Sequence, residues 1–185
     1  MMMEDASQNE LMALLSAVAR QDRKAFEQLY QQVASRMFGL CQKLAGQQEL
    51  AEEALQDAFV RIWHHASEYH SDRGSPMSWM MTIARYRTLD LMRARKVRQT
   101  AGDEALNYAE DERAGPLETS MQMDGAAALT GCLDELSPVQ RDSILLSYYR
   151  GLTHEELSTT LSTPIGTVKS WVRRGLQALK RCLER

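Results

Sequence analysis

The chain has 185 residues, enough for one medium domain or two small ones, and its 44% apolar and 25% charged residues are an ordinary balance for a globular protein. No apolar run approaches the ~18 residues that a membrane-crossing helix needs, so a transmembrane segment is not expected. The formal net charge of −3 argues against a partner such as nucleic acid only until it is mapped along the chain.

The opening, MMMEDASQNE, is acidic and lacks a positively charged stretch, so a secretory signal is not expected. Residues 11–19 are apolar-rich. The next segment places Phe26, Leu29, Tyr30, Val33, Met37, Leu40, Cys41 and Leu44 at helical intervals. A break at Gly46-Gln47-Gln48 precedes a second such run, with Leu50, Ala54, Leu55, Ala58, Phe59, Ile62 and Trp63 on one face. SEYHSDRGSP then reads as a loop. Ser75 followed by Pro76 is a helix start, a capping hydroxyl and a ring that needs no amide hydrogen. The helix it opens is basic: residues 81–100 hold six basic side chains and one acidic, net +5.

Residues 98–124 change character. The stretch 101–124 has seven acidic residues and one basic, net −6, with little apolar periodicity, and reads as a linker with one short helical turn near Pro116. Beyond it the punctuation is clear. Ser137-Pro138-Val139-Gln140 and Thr153-His154-Glu155-Glu156 are capping boxes, Gly151 closes the helix between them, and Thr163-Pro164 starts another. A short helix from Thr153, a tight turn at residues 161–163 and a longer helix make a helix-turn-helix arrangement.

That last helix carries an apolar stripe of Ile165, Val168, Val172, Leu176, Leu179 and Leu183. Residues 165–185 again hold six basic residues and one acidic, net +5. In a helix-turn-helix the second helix enters the major groove, so Lys169, Ser170, Arg173 and Arg174 are placed to reach bases and phosphates. The competing reading is a solvated amphipathic helix packed on a bundle.

Cys41, Cys132 and Cys182 lack Cys-x-x-Cys spacing, and His64, His65, His70 and His154 do not cluster with them. A zinc module is therefore not indicated, and a reducing cytosol is the expected compartment. Cys132 and Cys182 each sit beside a leucine, on the first and last helices of the C-terminal portion. They form a redox-sensitive disulfide if their Cα atoms come within about 7 Å, and otherwise behave as two small buried hydrophobes. No nucleophile elbow, Gly-rich phosphate loop or paired carboxylate motif points to an enzyme.

The stretch LDELSPVQRDSILLSYYRGLTHEELSTTLSTPIGTVKSWVRRGLQALKRCL resembles the promoter-reading fourth domain of bacterial extracytoplasmic-function (ECF) sigma factors. AFEQLYQQVASRMFGLCQKLAGQQELAEEALQDAFVRIWHHASEY with RGSPMSWMMTIARYRTLDLMRARK resembles their second domain. The resemblance implies an all-α protein of two small helical domains, 1–97 and 125–185, joined by the acidic linker 98–124. It implies no cofactor, no catalysis and a cytoplasmic factor whose partners are core RNA polymerase, promoter DNA and an anti-sigma factor. Glu53, Gln56, Asp57 and Arg61 would dock on the clamp of the largest polymerase subunit, with Phe59 and Trp63 in the core.

By the same resemblance the loop 69–75 would receive a flipped minus-10 base. Tyr69, Arg73, Trp79, Arg85, Tyr86, Arg87, Arg93, Arg95 and Lys96 would stack on or neutralise the melted strand, although Trp79 also fits a core position. Lys169, Ser170, Arg173 and Arg174 would read the minus-35 element. The chain departs from the family at Tyr86, where Asn is common, at Ser162, where Gly is usual, and at Trp171 and Leu176, where Arg is frequent. Asp103, Glu104, Glu110, Asp111 and Glu112 are expected to shield the basic faces of the free protein. The alternative is a polymerase-independent helix-turn-helix regulator, which would need a dimer and a palindromic site.

Overall fold

A computed structural model of the protein describes residues 2–100 and 123–185, and among them every regular element is helical. The order is α1 (Met2–Ala19), α2 (Arg23–Ala45), α3 (Gln48–His65), α4 (Pro76–Thr100), α5 (Met123–Asp134), α6 (Pro138–Tyr149), α7 (His154–Thr160) and α8 (Ile165–Leu183). The chain divides into two compact units, Met1–Glu104 and Ala105–Arg185.

In the first unit, short-range chemistry sets where each helix begins and ends. Asp22 Oδ1 accepts the N–H groups of Lys24 at 2.9 Å and Ala25 at 3.1 Å, satisfying two donors that α2 leaves without helical partners. Gly46 closes the same helix at φ 68°, a left-handed conformation that glycine adopts without a Cβ penalty. Ser75 Oγ accepts the N–H of Ser78 at 3.2 Å, and Pro76 occupies the first turn of α4, as its sequence predicts. The apolar positions of α1 to α4 then meet in one core, where Leu15, Val18, Leu29, Val33, Met37, Ile62 and Met80 are fully buried. The buried Thr88 hydroxyl donates to the carbonyl of Ala84 at 2.8 Å, so its own polar group is satisfied there.

Two boundaries differ from expectation. α1 starts at Met2, well before the apolar stretch at Leu11, because a nucleated helix extends at one hydrogen bond per added residue. α4 runs to Thr100 and α5 starts at Met123, so both ends of the expected linker 98–124 are helical. Arg98 lies in the last turn of α4, where a cation complements the negative end of the helix dipole. The short turn expected near Pro116 and the acidic residues Asp103, Glu104, Glu110, Asp111 and Glu112 lie outside the described residues.

The second unit is bounded by its capping boxes. Gln140 Oε1 accepts from the N–H of Ser137 at 3.4 Å, Thr153 Oγ1 accepts from Glu156 N–H at 3.1 Å, and Glu156 Oε2 accepts from Thr153 N–H at 2.8 Å. Arg150 is the C-cap of α6, and the expected Gly151 stands one position beyond it at φ 64°. Cys132, Leu136, Ile144 and Leu179 form one small core, and Leu157, Val168 and Val172 form another. α6 and α8 approach closely at Gly175, where a Cβ would lie 2.6 Å from Ile144 Cδ1 and 3.3 Å from Gln140 Cβ. Only the middle of the α8 stripe is covered: Ile165 is 38% and Leu183 45% exposed.

Candidate nucleic-acid interface

α7, the turn and α8 form a helix-turn-helix. Leu157 of α7 is fully buried against Val168 and Val172, which fixes how α8 is presented. The turn passes through Ser162 at φ 48°, the left-handed conformation that the family's usual glycine at this place would favour. Ser162 N–H donates to Thr159 O at 3.2 Å and Thr163 N–H to Ser158 O at 2.9 Å. The Thr163 hydroxyl closes back on Leu161 O at 2.9 Å. The turn is therefore tied by its own backbone and hydroxyls.

On α8, Lys169, Arg173 and Arg174 are exposed and Ser170 is half-buried. Arg174 Nη2 donates to Ser170 Oγ at 2.6 Å, and its Nε reaches Ser170 O at 3.4 Å. Two of the four expected contact residues thus form one hydrogen-bonded pair, as residues four apart on a helix can. Trp171 is half-buried.

The second basic surface lies on α4. Arg85, Tyr86 and Arg93 are half-buried, while Arg95 and Lys96 are exposed. The Arg85 guanidinium carbon sits 5.4 Å from the Tyr86 ring centroid, a cation–π distance. Arg87, also expected to face the strand, is engaged by carboxylates. Its Nη2 donates to Asp57 Oδ2 at 2.7 Å, its Nη1 lies 3.5 Å from Asp90 Oδ2, and its Nε is buried with no hydrogen-bond partner. The reason is packing: α3 lies against α4 and brings a carboxylate to the guanidinium.

Residues 69–75 are held against the start of α4. The Tyr69 hydroxyl donates to Gly74 O at 3.0 Å, and its ring lies 5.8 Å from that of Trp79. Gly74 adopts φ 135°, where an L side chain is strained. Desolvation pushes the Tyr69 phenol above its ordinary value. Trp79 is half-buried and packs on the first core, which accords with its core reading, whereas Arg73 is exposed.

On α3, Glu53, Gln56 and Arg61 are exposed as expected, but Asp57 is only half-exposed because it faces Arg87. Phe59 is buried and Trp63 half-buried, the Trp63 ring lying 5.1 Å from Phe26. Sequence reasoning missed Val60, 56% exposed on the same side of α3 as Glu53 and Gln56. The available signal was an apolar residue standing off the buried stripe, four positions from Gln56 and seven from Glu53.

Cys132 and Cys182 are joined by a disulfide with Cα atoms 5.7 Å apart, fastening α5 to α8. Cys41 is free and fully buried. Among the described residues no group of His, Cys, Asp and Glu could hold a metal ion, and no helix is long and apolar enough to cross a membrane.

Residues 29–98 match the family model for Sigma-70 region 2, and residues 126–179 match that for Sigma-70, region 4. Among curated relatives, the ECF RNA polymerase sigma factor SigK of Mycolicibacterium vanbaalenii is 34% identical over 94% of this chain and 89% of its own length. The SigK of Mycobacterium tuberculosis (strain ATCC 25177 / H37Ra) is 34% identical over 95% of both chains. A solved structure of Rhodobacter sphaeroides SigE in complex with the anti-sigma ChrR aligns at 26% identity over 92% of this chain and 98% of that one, with a TM-score of 0.46. A region 2 helical unit followed by a region 4 helix-turn-helix defines a transcription initiation factor of the sigma-70 type. The chain belongs to the ECF RNA polymerase sigma factors, which direct promoter-specific initiation.

Proposed function

We propose that promoter reading is split between the two units. Residues 125–185 bind the minus-35 element as duplex through Lys169, Ser170, Arg173 and Arg174. Residues 1–97 capture the minus-10 element as single strand through Tyr69, Arg73, Arg85, Tyr86, Arg93, Arg95 and Lys96, with 98–124 as the connection. Stacking and cations are what a melted strand needs, and the Arg85–Tyr86 pair supplies both in one place. Arg87 and Trp79 act as scaffold on this reading, since the first is paired to Asp57 and the second packs on the core.

Core polymerase docks on α3 through Glu53, Gln56 and Arg61, the clamp of its largest subunit being the partner surface, and Asp57 supports that face from its side. The free factor exposes two cationic surfaces, which suits control by an anti-sigma factor that covers them. The protein works in the cytoplasm, as a factor without catalysis of its own. The Cys132–Cys182 bridge adds a redox-sensitive lock: opened by reductant, it frees α5 from the back of the DNA-reading helix.

One observation carries the reading: α8 buries Val168, Val172 and Leu179 on one side and exposes Lys169, Arg173 and Arg174 on the other, behind a capped α7. Runoff transcription with core polymerase on a pool of randomised promoters tests it. Specific initiation with two selected elements is expected, and Arg174→Ala should erase selection of the upstream one only. Tight duplex binding by the protein alone, without initiation, would instead favour a polymerase-independent regulator.

A further inference from the structure

We propose that Ile165 reads the methyl group of a thymine in the minus-35 major groove. The inference rests on α8 being the minus-35 helix and assigns to it an apolar contact that its cationic residues cannot make. Ile165 belongs by register to the apolar stripe, yet it is 38% exposed, whereas Val168 and Val172 further along the stripe are buried.

Its place on the helix, at the edge of the apolar stripe, borders a useful line. Lys169 and Arg173 follow at four and eight positions, so the three side chains rise along one side of α8, with the apolar one at the N-terminal turn. That turn is the part of a recognition helix that meets base edges. Next to it, among the described residues, nothing beyond the chain neighbours and the helix's own backbone lies within 4 Å of the position a Cβ would take on Gly166, which leaves room for a duplex to approach the helix there.

The chemistry selects one ligand. In the major groove only thymine displays a methyl group, and an apolar side chain is what recognises it. An isoleucine left in water gains from burying itself against that methyl, whereas arginine and lysine respond to acceptors and phosphates.

The test uses the full chain with core polymerase on a promoter selected as above. Each upstream thymine, on either strand, is replaced in turn by deoxyuridine, which keeps the hydrogen-bonding edge and lacks only the methyl. Wild-type holoenzyme should lose about three- to fivefold in promoter binding at one such position, the worth of roughly one buried methylene. Ile165→Ala should bind the thymine and deoxyuridine promoters equally, at the level of wild type on deoxyuridine. Its thermal unfolding should fall only slightly, since the residue is already 38% exposed.

The inference is overturned if no deoxyuridine matters, if the selected element has no thymine on either strand, or if Ile165→Ala retains the thymine preference. A different pattern would sink the underlying reading instead: Arg173→Ala and Arg174→Ala leaving upstream selectivity intact.

Discussion

Arg87 Nη2 on α4 and Asp57 Oδ2 on α3 lie 2.7 Å apart, an ion pair between residues 30 positions apart whose guanidinium is 24% and carboxylate 41% exposed. The pair is wet on the aspartate side, so screening limits its worth to the upper part of the surface range. Removing the carboxylate leaves Arg87 with the longer Asp90 contact alone. Asp57→Ala should therefore cost about 1 kcal/mol in urea unfolding of the full chain, with Asp57→Asn intermediate. A double-mutant cycle with Arg87→Ala should return a coupling of about 0.5–1 kcal/mol. A coupling near zero would show that the contact does not hold α3 to α4.

Reduction should loosen the second unit and spare the first. The bridge between Cys132 and Cys182 closes a loop with a sequence separation of 50, and constraining such a loop in the unfolded chain is worth about 2–4 kcal/mol. Calorimetry with and without a phosphine reductant should lower the second unit's transition, while Cys132→Ser should start low and ignore the reductant. Equal sensitivity of wild type and Cys132→Ser would rule the bridge out as the cause.

Ser162 sits exposed at φ 48°, where a Cβ is disfavoured. Ser162→Gly should stabilise the second unit by about 0.5–1 kcal/mol, since relief of the left-handed strain exceeds the added freedom of the unfolded chain. Denaturant titration reads this directly. A destabilised variant would mean that the serine hydroxyl supports the turn.

Cys41 supplies a pH dependence. Burial raises its thiol above the ordinary 9.0, and the hydrogen bond with Thr88 opposes this less strongly. The folded state therefore favours the protonated thiol. Its contribution is fully present below the unfolded-state value and is lost as pH rises through the higher folded one. Stability of the first unit should fall above about pH 9 in wild type and fall less in Cys41→Ala. In native protein at neutral pH, Cys41 should resist alkylation until the unit unfolds.

What the sequence made legible was local. The capping groups at Ser75, Ser137 and Thr153 act within three residues, and the apolar stripes of α2 and α3 are periodic, so both could be read before any fold was known. The Asp57–Arg87 pair could not, because Arg87 in a basic helix looks like its neighbours until α3 is packed beside it. The exposure of Ile165 was hidden for the mirror reason: its register is that of a core residue, and only its 38% exposure sets it apart from Val168 and Val172. For Cys132 and Cys182 the sequence supplied placement on two helices but not the 5.7 Å between their Cα atoms.

Gly175 has a consequence for how such a factor changes over generations. The contact that braces α8 against Ile144 is made by a residue with no side chain, on the side of the helix away from Lys169, Ser170 and Arg173. The outward positions can accept new residues while the brace stays as it is. If those positions read the promoter as proposed above, its preference can drift by single substitutions while the scaffold behind it stays unchanged.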